Sequence, residues 1–370
     1  MRIGVDGISF AFAATGVTRY LTSMLREMVQ MATQDEFFIY SPVPIEVPLD
    51  KGNWHLRVVP SLFSRRPSLW TQFILPQVLA EDNIDVFWAQ PTNLPLKLKR
   101  RALRILTLHD LVPYVYPGSM QLRALLRTRL LLPRVVRAAD IVVCVSDSTA
   151  QEARNYFKIK EEKLRVVKEG ASSIFQPVDK EAAKEIVSQE FGITGDYIIF
   201  VSTIEPRKDH RTLFRALSEL TAPPLLVLVG GIGWRCRAIL KEIKEFEKKG
   251  IVRYLGRVAD RYLPALYSAA QLSLYPSRYE GFGLPVLEAM ACGCPVLCSD
   301  IPSLTEVGGE SAEYFRVGDY QDLKDKLKEI LGNEQLREEI VQRGLSRAKE
   351  FSFTKAAQQL LNIIKKAQIS

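Results

Sequence analysis

LSLYPSRYEGFGLPVLEAMACGCPVLC, residues 272–298, reads as a strand, a turn, a helix and a second strand. Leu272–Tyr275 and Pro295–Cys298 are short apolar runs of strand length, and Leu287–Ala291 continue from the turn as an apolar helix. Gly281 and Gly283 make the turn tight. Pro285 stands near the first helical position and Gly293 just beyond the last, the usual asymmetry of helix ends. Strand, crossover helix and strand together form the repeating unit of a parallel sheet. Glu280 therefore lies ahead of the helix N-terminus, and Glu288 about one turn inside it.

The same alternation extends in both directions. Tyr197–Val201, Leu225–Val229 and Ile251–Leu255 read as buried strands, with helices over Thr212–Leu220, Arg235–Lys249 and Tyr262–Ala270. Further upstream, Arg2–Asp6, Phe37–Tyr40, Leu56–Val59, Asp85–Ala89, Arg104–Leu108 and Ile141–Val145 read as strands. Val17–Met31, Leu122–Ala138 and Thr149–Phe157 read as helices among them. The pattern weakens over Gly170–Asp179 and then restarts. With 370 residues, the expected class is α/β, with two doubly wound, Rossmann-like domains facing each other across a cleft. The expected division is 1–172 and 173–352. Ligands of such sheets bind beyond the carboxyl ends of the strands, so the polar residues just after each strand matter most.

Composition sets outer limits. Hydrophobic residues make up 47% and charged residues 25%, which excludes wholesale disorder, collagen-like repeats and coiled coil. No run of about 18 apolar residues occurs, so no transmembrane helix is expected. The apolar start carries Asp6 and lacks a cationic lead-in, so it reads as strand and loop. Five cysteines, an odd number, suggest a reducing, cytoplasmic compartment. Cys292, Cys294 and Cys298 fall at a helix end and along an apolar strand, with no nearby histidine to complete a metal set. The formal charge of +8 is concentrated in residues 1–170, with 23 basic against 16 acidic residues. Lys97–Arg137 alone holds ten basic residues and one acid, Asp110. A solvated basic face is one reading. Peripheral attachment to an anionic membrane surface, at the inner face of the plasma membrane, is the other. No nucleic-acid partner is expected.

Four constellations follow strands. Gly16 precedes the first helix, where a backbone without a side chain can approach an anion. His109 and Asp110 follow Arg104–Leu108. Arg207 and Lys208 follow Tyr197–Val201, a fork and a point charge suited to a diphosphate, and Asp209 can cap the next helix. Glu280 and Glu288 bracket Gly281, Phe282, Gly283 and Leu284, whose amides sit at a helix start. Carboxylates for hydroxyls beside amides for phosphate suit a nucleotide sugar. The dinucleotide fingerprint GxGxxG is absent after the first strand, which disfavours a nicotinamide-dependent dehydrogenase. No Asp-x-Asp occurs, so no metal cofactor is expected, and charge on a leaving diphosphate would fall to Arg207, Lys208 and the amides.

The 280–293 stretch, EGFGLPVLEAMACG, resembles the retaining GT-B glycosyltransferases of family four, which include bacterial mannosyltransferases of surface polysaccharides. The likeness spans nearly the whole chain: the Met1–Asp6 opening, the Gly16 loop, HDLVP from His109, Ala139-Asp140 to Ser146, IEPRK from Ile204, and IPSLTEVG from Ile301. It implies that Arg207 and Lys208 neutralise the leaving diphosphate, that Glu288 binds the donor ribose, and that Glu280 binds sugar hydroxyls near the anomeric carbon. Gly16 and the Gly281–Leu284 amides would contact phosphate or sugar, and His109 would lie beside the transferred sugar. The base would lie near Gly256, Arg257 and Val258. The final helix, Phe353–Ala367, would cross back to the first domain. A hexose donor, GDP-mannose first and UDP-glucose or UDP-N-acetylglucosamine second, and a glycan or lipid-linked glycan acceptor are implied. A sugar-nucleotide epimerase of the same architecture, or a silent binding protein, are the competing classes. Where many relatives carry an Asn-Gly-Val-Asp-like run, this chain has EGAS at 169–172, and the resemblance assigns it no role.

Overall fold

The computed structural model describes residues 1–11, 16–50 and 52–369, and within these the chain divides into two compact units. One contains Met1–Tyr114, Arg123–Glu169 and the last helix, Phe353–Ile369; the other contains Val115–Leu122 and Gly170–Ser352. By this grouping the first unit's second segment ends at Glu169, and the short Val115–Leu122 stretch groups with the second unit.

The first unit is built on seven strands among the described residues. They are β1 (Arg2–Asp6), β2 (Glu36–Ser41), β3 (Trp54–Val58), β4 (Val86–Ala89), β5 (Leu103–Leu108), β6 (Ile141–Cys144) and β7 (Leu164–Val166). Their order in the sheet is β3-β2-β1-β4-β5-β6-β7, and every pairing is parallel. The second unit has six: β8 (Tyr197–Val201), β9 (Leu225–Val229), β10 (Val252–Tyr254), β11 (Leu272–Tyr275), β12 (Val296–Ser299) and β13 (Glu313–Phe315). Their order is β10-β9-β8-β11-β12-β13, again all parallel. In both sheets the order in which strands are added reverses once, between β1 and β4 and between β8 and β11. Such a reversal opens a crevice at the carboxyl ends of the two central strands.

Central strands covered on both faces lose the polar alternation of a half-exposed strand, which is why β8, β11 and β12 read as continuous apolar runs. Ile198, Ile199, Phe200, Leu272, Leu274 and Leu297 are buried. Each such side chain contributes about 1.5–3 kcal/mol relative to exposure, so these strands form rigid platforms for the loops that follow them.

The final helix packs on the helix Gly16–Met31 within the first unit. Phe353 meets Tyr20 edge-on at 6.2 Å between ring centres, and Thr354 Oγ1 donates to Glu27 Oε2 at 2.9 Å. The helix Leu122–Ala138 departs from expectation. At 100° per residue Arg123, Arg127, Arg134 and Arg137 fall in one stripe and several leucines lie across from it, where they can pack on the sheet. Instead Leu132, Val135 and Val136 are buried, while Leu122, Leu126 and Leu130 stand 68%, 53% and 63% exposed beside Arg123, Arg127 and Arg134. The first three turns thus present leucine and arginine together to solvent. No helix among the described residues is long and apolar enough to cross a membrane.

Candidate active site

Arg207 and Lys208 follow β8, and Glu280 follows β11, so they stand on either side of the reversal in the second sheet. The two loops are tied together. Arg278 N donates to Arg207 O at 2.8 Å, and Arg278 Nε donates to Asp209 Oδ2 at 2.8 Å. Asp209 adopts a left-handed backbone (φ 49°) and does not cap the next helix through its side chain as expected. Its Oδ2 instead accepts from Thr212 Oγ1 at 2.7 Å and from Arg278.

The result is one dense ionic cluster. Lys208 Nζ donates to Glu280 Oε1 at 2.5 Å and to Tyr275 Oη at 2.8 Å. Arg207 Nη1 donates to Glu280 Oε2 at 2.7 Å and to Tyr279 O at 3.0 Å, and Arg207 Nε pairs with Glu205 Oε1 at 2.7 Å. Burial works to raise the pKa of Glu280, but the charges of Arg207 and Lys208 overcome it and hold the carboxyl at about 2. At neutral pH it accepts hydrogen bonds and has no proton to give. Burial, with the charge of Arg207, pulls Lys208 below the usual ammonium value, against the attraction of Glu280. Tyr275 is pushed well above the ordinary phenol value by burial and then by Glu280, with Glu288 also contributing.

The helix after this loop is Leu284–Ala291, three residues longer at its start than expected, with Pro285 in its first turn. Among the described residues no side chain caps it. Its positive end follows the carboxyl end of β11, the edge beyond which ligands of open α/β sheets bind. Gly283 has φ 119°, and a Cβ there would meet Leu304 Cδ2 at 2.7 Å, so only glycine fits. Phe282 is buried edge-on against Phe351 at 5.9 Å, which leaves its backbone rather than its ring for a ligand. Glu288 is buried inside the helix.

Gly256 follows β10 with φ 67°, and its carbonyl accepts from Gly230 N at 2.7 Å. Arg257 lies against Gly231, and Val258 is half-buried. This places 256–258 beside the β9 loop of the same unit.

In the first unit, Gly16 is exposed at its helix start, and a Cβ there would meet nothing among the described residues; residues 12–15 of its loop lie outside them. His109 follows β5 with both ring nitrogens engaged: Nδ1 is 3.2 Å from Glu169 Oε1 and Nε2 is 2.6 Å from Gln90 Oε1. Asp110 accepts from Val112 N at 3.2 Å and so shapes the loop. Tyr275, Glu205, Gln90 and Glu169 are absent from the sequence-derived set, although each stands at or just past a strand end. All five cysteines are buried and free. Among the described residues no group of three or more His, Cys, Asp or Glu side chains is arranged to hold a metal ion.

Two family models divide the chain between them: Glycosyltransferase Family 4 matches residues 14–172, and Glycosyl transferases group 1 matches 183–347. Over 372 aligned positions, 96% of this chain and 97% of the relative, the chain is 31% identical to O-antigen chain mannosyltransferase B of Escherichia coli. The chain belongs to glycosyltransferase family 4. Solved structures place this glycosyltransferase in the GT-B fold. Sucrose-phosphate synthase of Thermosynechococcus elongatus superposes with a TM-score of 0.81 at 19% identity, covering 99% of this chain and 98% of that one. Anabaena Alr3699/HepE, solved in complex with UDP-glucose, superposes with a TM-score of 0.77 at 18% identity, covering 99% and 100%.

Proposed function

We propose that this glycosyltransferase moves a hexose from a nucleoside-diphosphate sugar to a glycan or lipid-linked glycan, with retention at the anomeric carbon and without a metal ion. The observation that carries the proposal is the convergence of Arg207 and Lys208 on Glu280 beside the start of helix Leu284–Ala291. Departure of the diphosphate builds negative charge on its oxygens. Two cations already fixed by ion pairs, together with helix amides, meet that charge with little reorganisation. Glu280 is the ionised acceptor for sugar hydroxyls. Its two oxygens are held by Arg207 and Lys208, which supports transfer on one face of the sugar, the leaving diphosphate taking the acceptor proton, over attack by Glu280 itself. Glu288 binds the ribose, Gly16 and the 281–284 backbone bind phosphate or sugar, 256–258 face the base, and His109 lies beside the sugar.

GDP-mannose is the first donor in this proposal, supported by the E. coli relative. UDP-glucose or UDP-N-acetylglucosamine is the second, supported by the ligand of the Anabaena protein. Incubation with each donor and a glycan acceptor, followed by NMR of the product's anomeric proton, tests the reading. Transfer with retained configuration supports it. An epimerised nucleotide sugar, or no reaction with any donor, overturns it.

We also propose that the protein is cytoplasmic and that its helix Leu122–Ala138 meets the anionic inner face of the plasma membrane, supported by the exposed leucines and arginines on one face. Apolar side chains enter the interface, and each basic residue near such a surface contributes about 1 kcal/mol, screened by salt.

A further inference from the structure

Glu169 ends the second segment of the first unit and belongs to the EGAS run to which the family resemblance assigns nothing. Its side chain is only 6% exposed, and Oε1 stands 3.2 Å from His109 Nδ1. The pairing is long-range: β5 delivers His109 and the segment after β7 delivers Glu169, across the intervening β6. The imidazole is confined on its other sides. Nε2 faces Gln90 Oε1 at 2.6 Å, and Tyr20 meets the ring edge-on at 4.7 Å between centres. Gln90 is itself held after β4, its N–H directed at Asp6 Oδ2 at 3.4 Å.

The carboxylate decides which nitrogen carries hydrogen. An ionised carboxylate only accepts, so the 3.2 Å contact requires a proton on Nδ1. This holds for either orientation of the Gln90 amide. With Oε1 towards the ring, Nε2 donates and the Gln90 NH2 is buried without a partner among the described residues. With the amide turned over, the NH2 donates to a bare Nε2. Both ring nitrogens are thus committed within the protein, and His109 serves the reaction as a fixed surface rather than as a free acid or base.

We propose that Glu169 is a positioning residue for sugar transfer, holding His109 with Nδ1 protonated and the ring in one orientation against Gln90 and Tyr20. This rests on the placement of the sugar beside His109 proposed above.

The chain has three histidines, His55, His109 and His210, so the imidazole 15N spectrum is simple to assign. In the wild type, His109 shows a protonated Nδ1. Glu169→Ala removes the acceptor: with Gln90 Oε1 on Nε2, as it stands in the structure, the remaining proton sits on Nε2 and the Nδ1 signature is lost, while His210, buried in the other unit, keeps its shifts as a control for folding; a signature that survives the replacement means that Gln90 sets the tautomer and overturns the proposal. Turnover then falls by about 10- to 100-fold, the effect of losing one hydrogen bond to a charged group, with donor KM changing much less. Glu169→Gln keeps an accepting oxygen at the same reach and restores both the Nδ1 signature and most of the turnover. An unprotonated Nδ1 in the wild type, or a Glu169→Ala variant that loses the signature but turns over normally, overturns the proposal. Failure of the transferase reading itself shows separately, as a wild type with no transfer from any donor.

Discussion

Replacing Lys208 by Ala removes a buried cation that bonds Glu280 Oε1 and Tyr275 Oη together. Arg207 keeps its 2.7 Å bond to the other Glu280 oxygen, so the carboxylate is left half-compensated. Stripping one partner from a buried ion pair costs about 3–5 kcal/mol, and with Arg207 in place the lower end, about 3 kcal/mol, applies. For a unit of this size that lowers the melting temperature by about 6–12 °C. Turnover falls by about 10²–10³, as for loss of one preorganised charge stabiliser. The second substitution separates these effects. Adding Glu280→Gln removes the stranded charge, so the double variant melts above Lys208→Ala, while its turnover stays low. Melting curves and initial rates of nucleoside diphosphate release, taken below the lowest melting point, read both. Near-normal turnover in folded Lys208→Ala, or a double variant destabilised by the full sum of the singles, refutes the reasoning.

The two glutamates separate kinetically. Glu288→Gln raises donor KM, and Glu280→Gln depresses kcat; identical defects in steady-state assays contradict separate roles. His210 is buried with neither ring nitrogen partnered among the described residues, and burial, then the charge of Lys208, lowers its pKa from 6.5 to about 3. The unfolded chain therefore takes up a proton at pH values where the folded chain refuses it. Stability falls from pH 6.5 towards pH 3 at up to about 1.4 kcal/mol per unit. His210→Phe, which keeps an aromatic ring tilted against Phe200, flattens that slope in denaturant titrations, and an unchanged slope counts against it. Sedimentation with vesicles shows binding to anionic but not neutral lipid and release at high salt. Gln at positions 123, 127, 134 and 137 weakens it while leaving donor binding intact; equal binding to both lipids, or none, leaves a solvated basic face.

What the sequence discloses follows from burial. β8, β11 and β12 are covered on both faces, and the alternation of such runs with helices is visible without coordinates. The reading assigns no element to β7 and β13, three-residue strands with only one fully buried residue each. Nor does it assign helices Lys180–Phe191, Tyr320–Leu331 and Glu334–Ala348. Leu122, Leu126 and Leu130 share a helical face, and periodicity cannot say whether that face meets the sheet or solvent. The positions of Arg207 and Lys208 after β8, and of Glu280 and Glu288 around the start of helix Leu284–Ala291, are legible because local glycine and proline signals fix the loops that carry them. Glu169 is not, because its partner His109 lies 60 residues away and only the sheet order brings the two together. Tyr275 reads as one more apolar strand residue until Lys208 is seen on its hydroxyl.

The central claim is that Arg207, Lys208 and the helix at Leu284 receive a diphosphate by themselves. Calorimetric titration of GDP and of UDP into the protein in EDTA tests it most directly. Saturable binding of one nucleoside diphosphate without metal, lost when Arg207 and Lys208 are both replaced by Ala in a variant that still melts cooperatively, is the predicted result. Binding that appears only when Mg²⁺ or Mn²⁺ is restored, or that survives the double replacement, contradicts it.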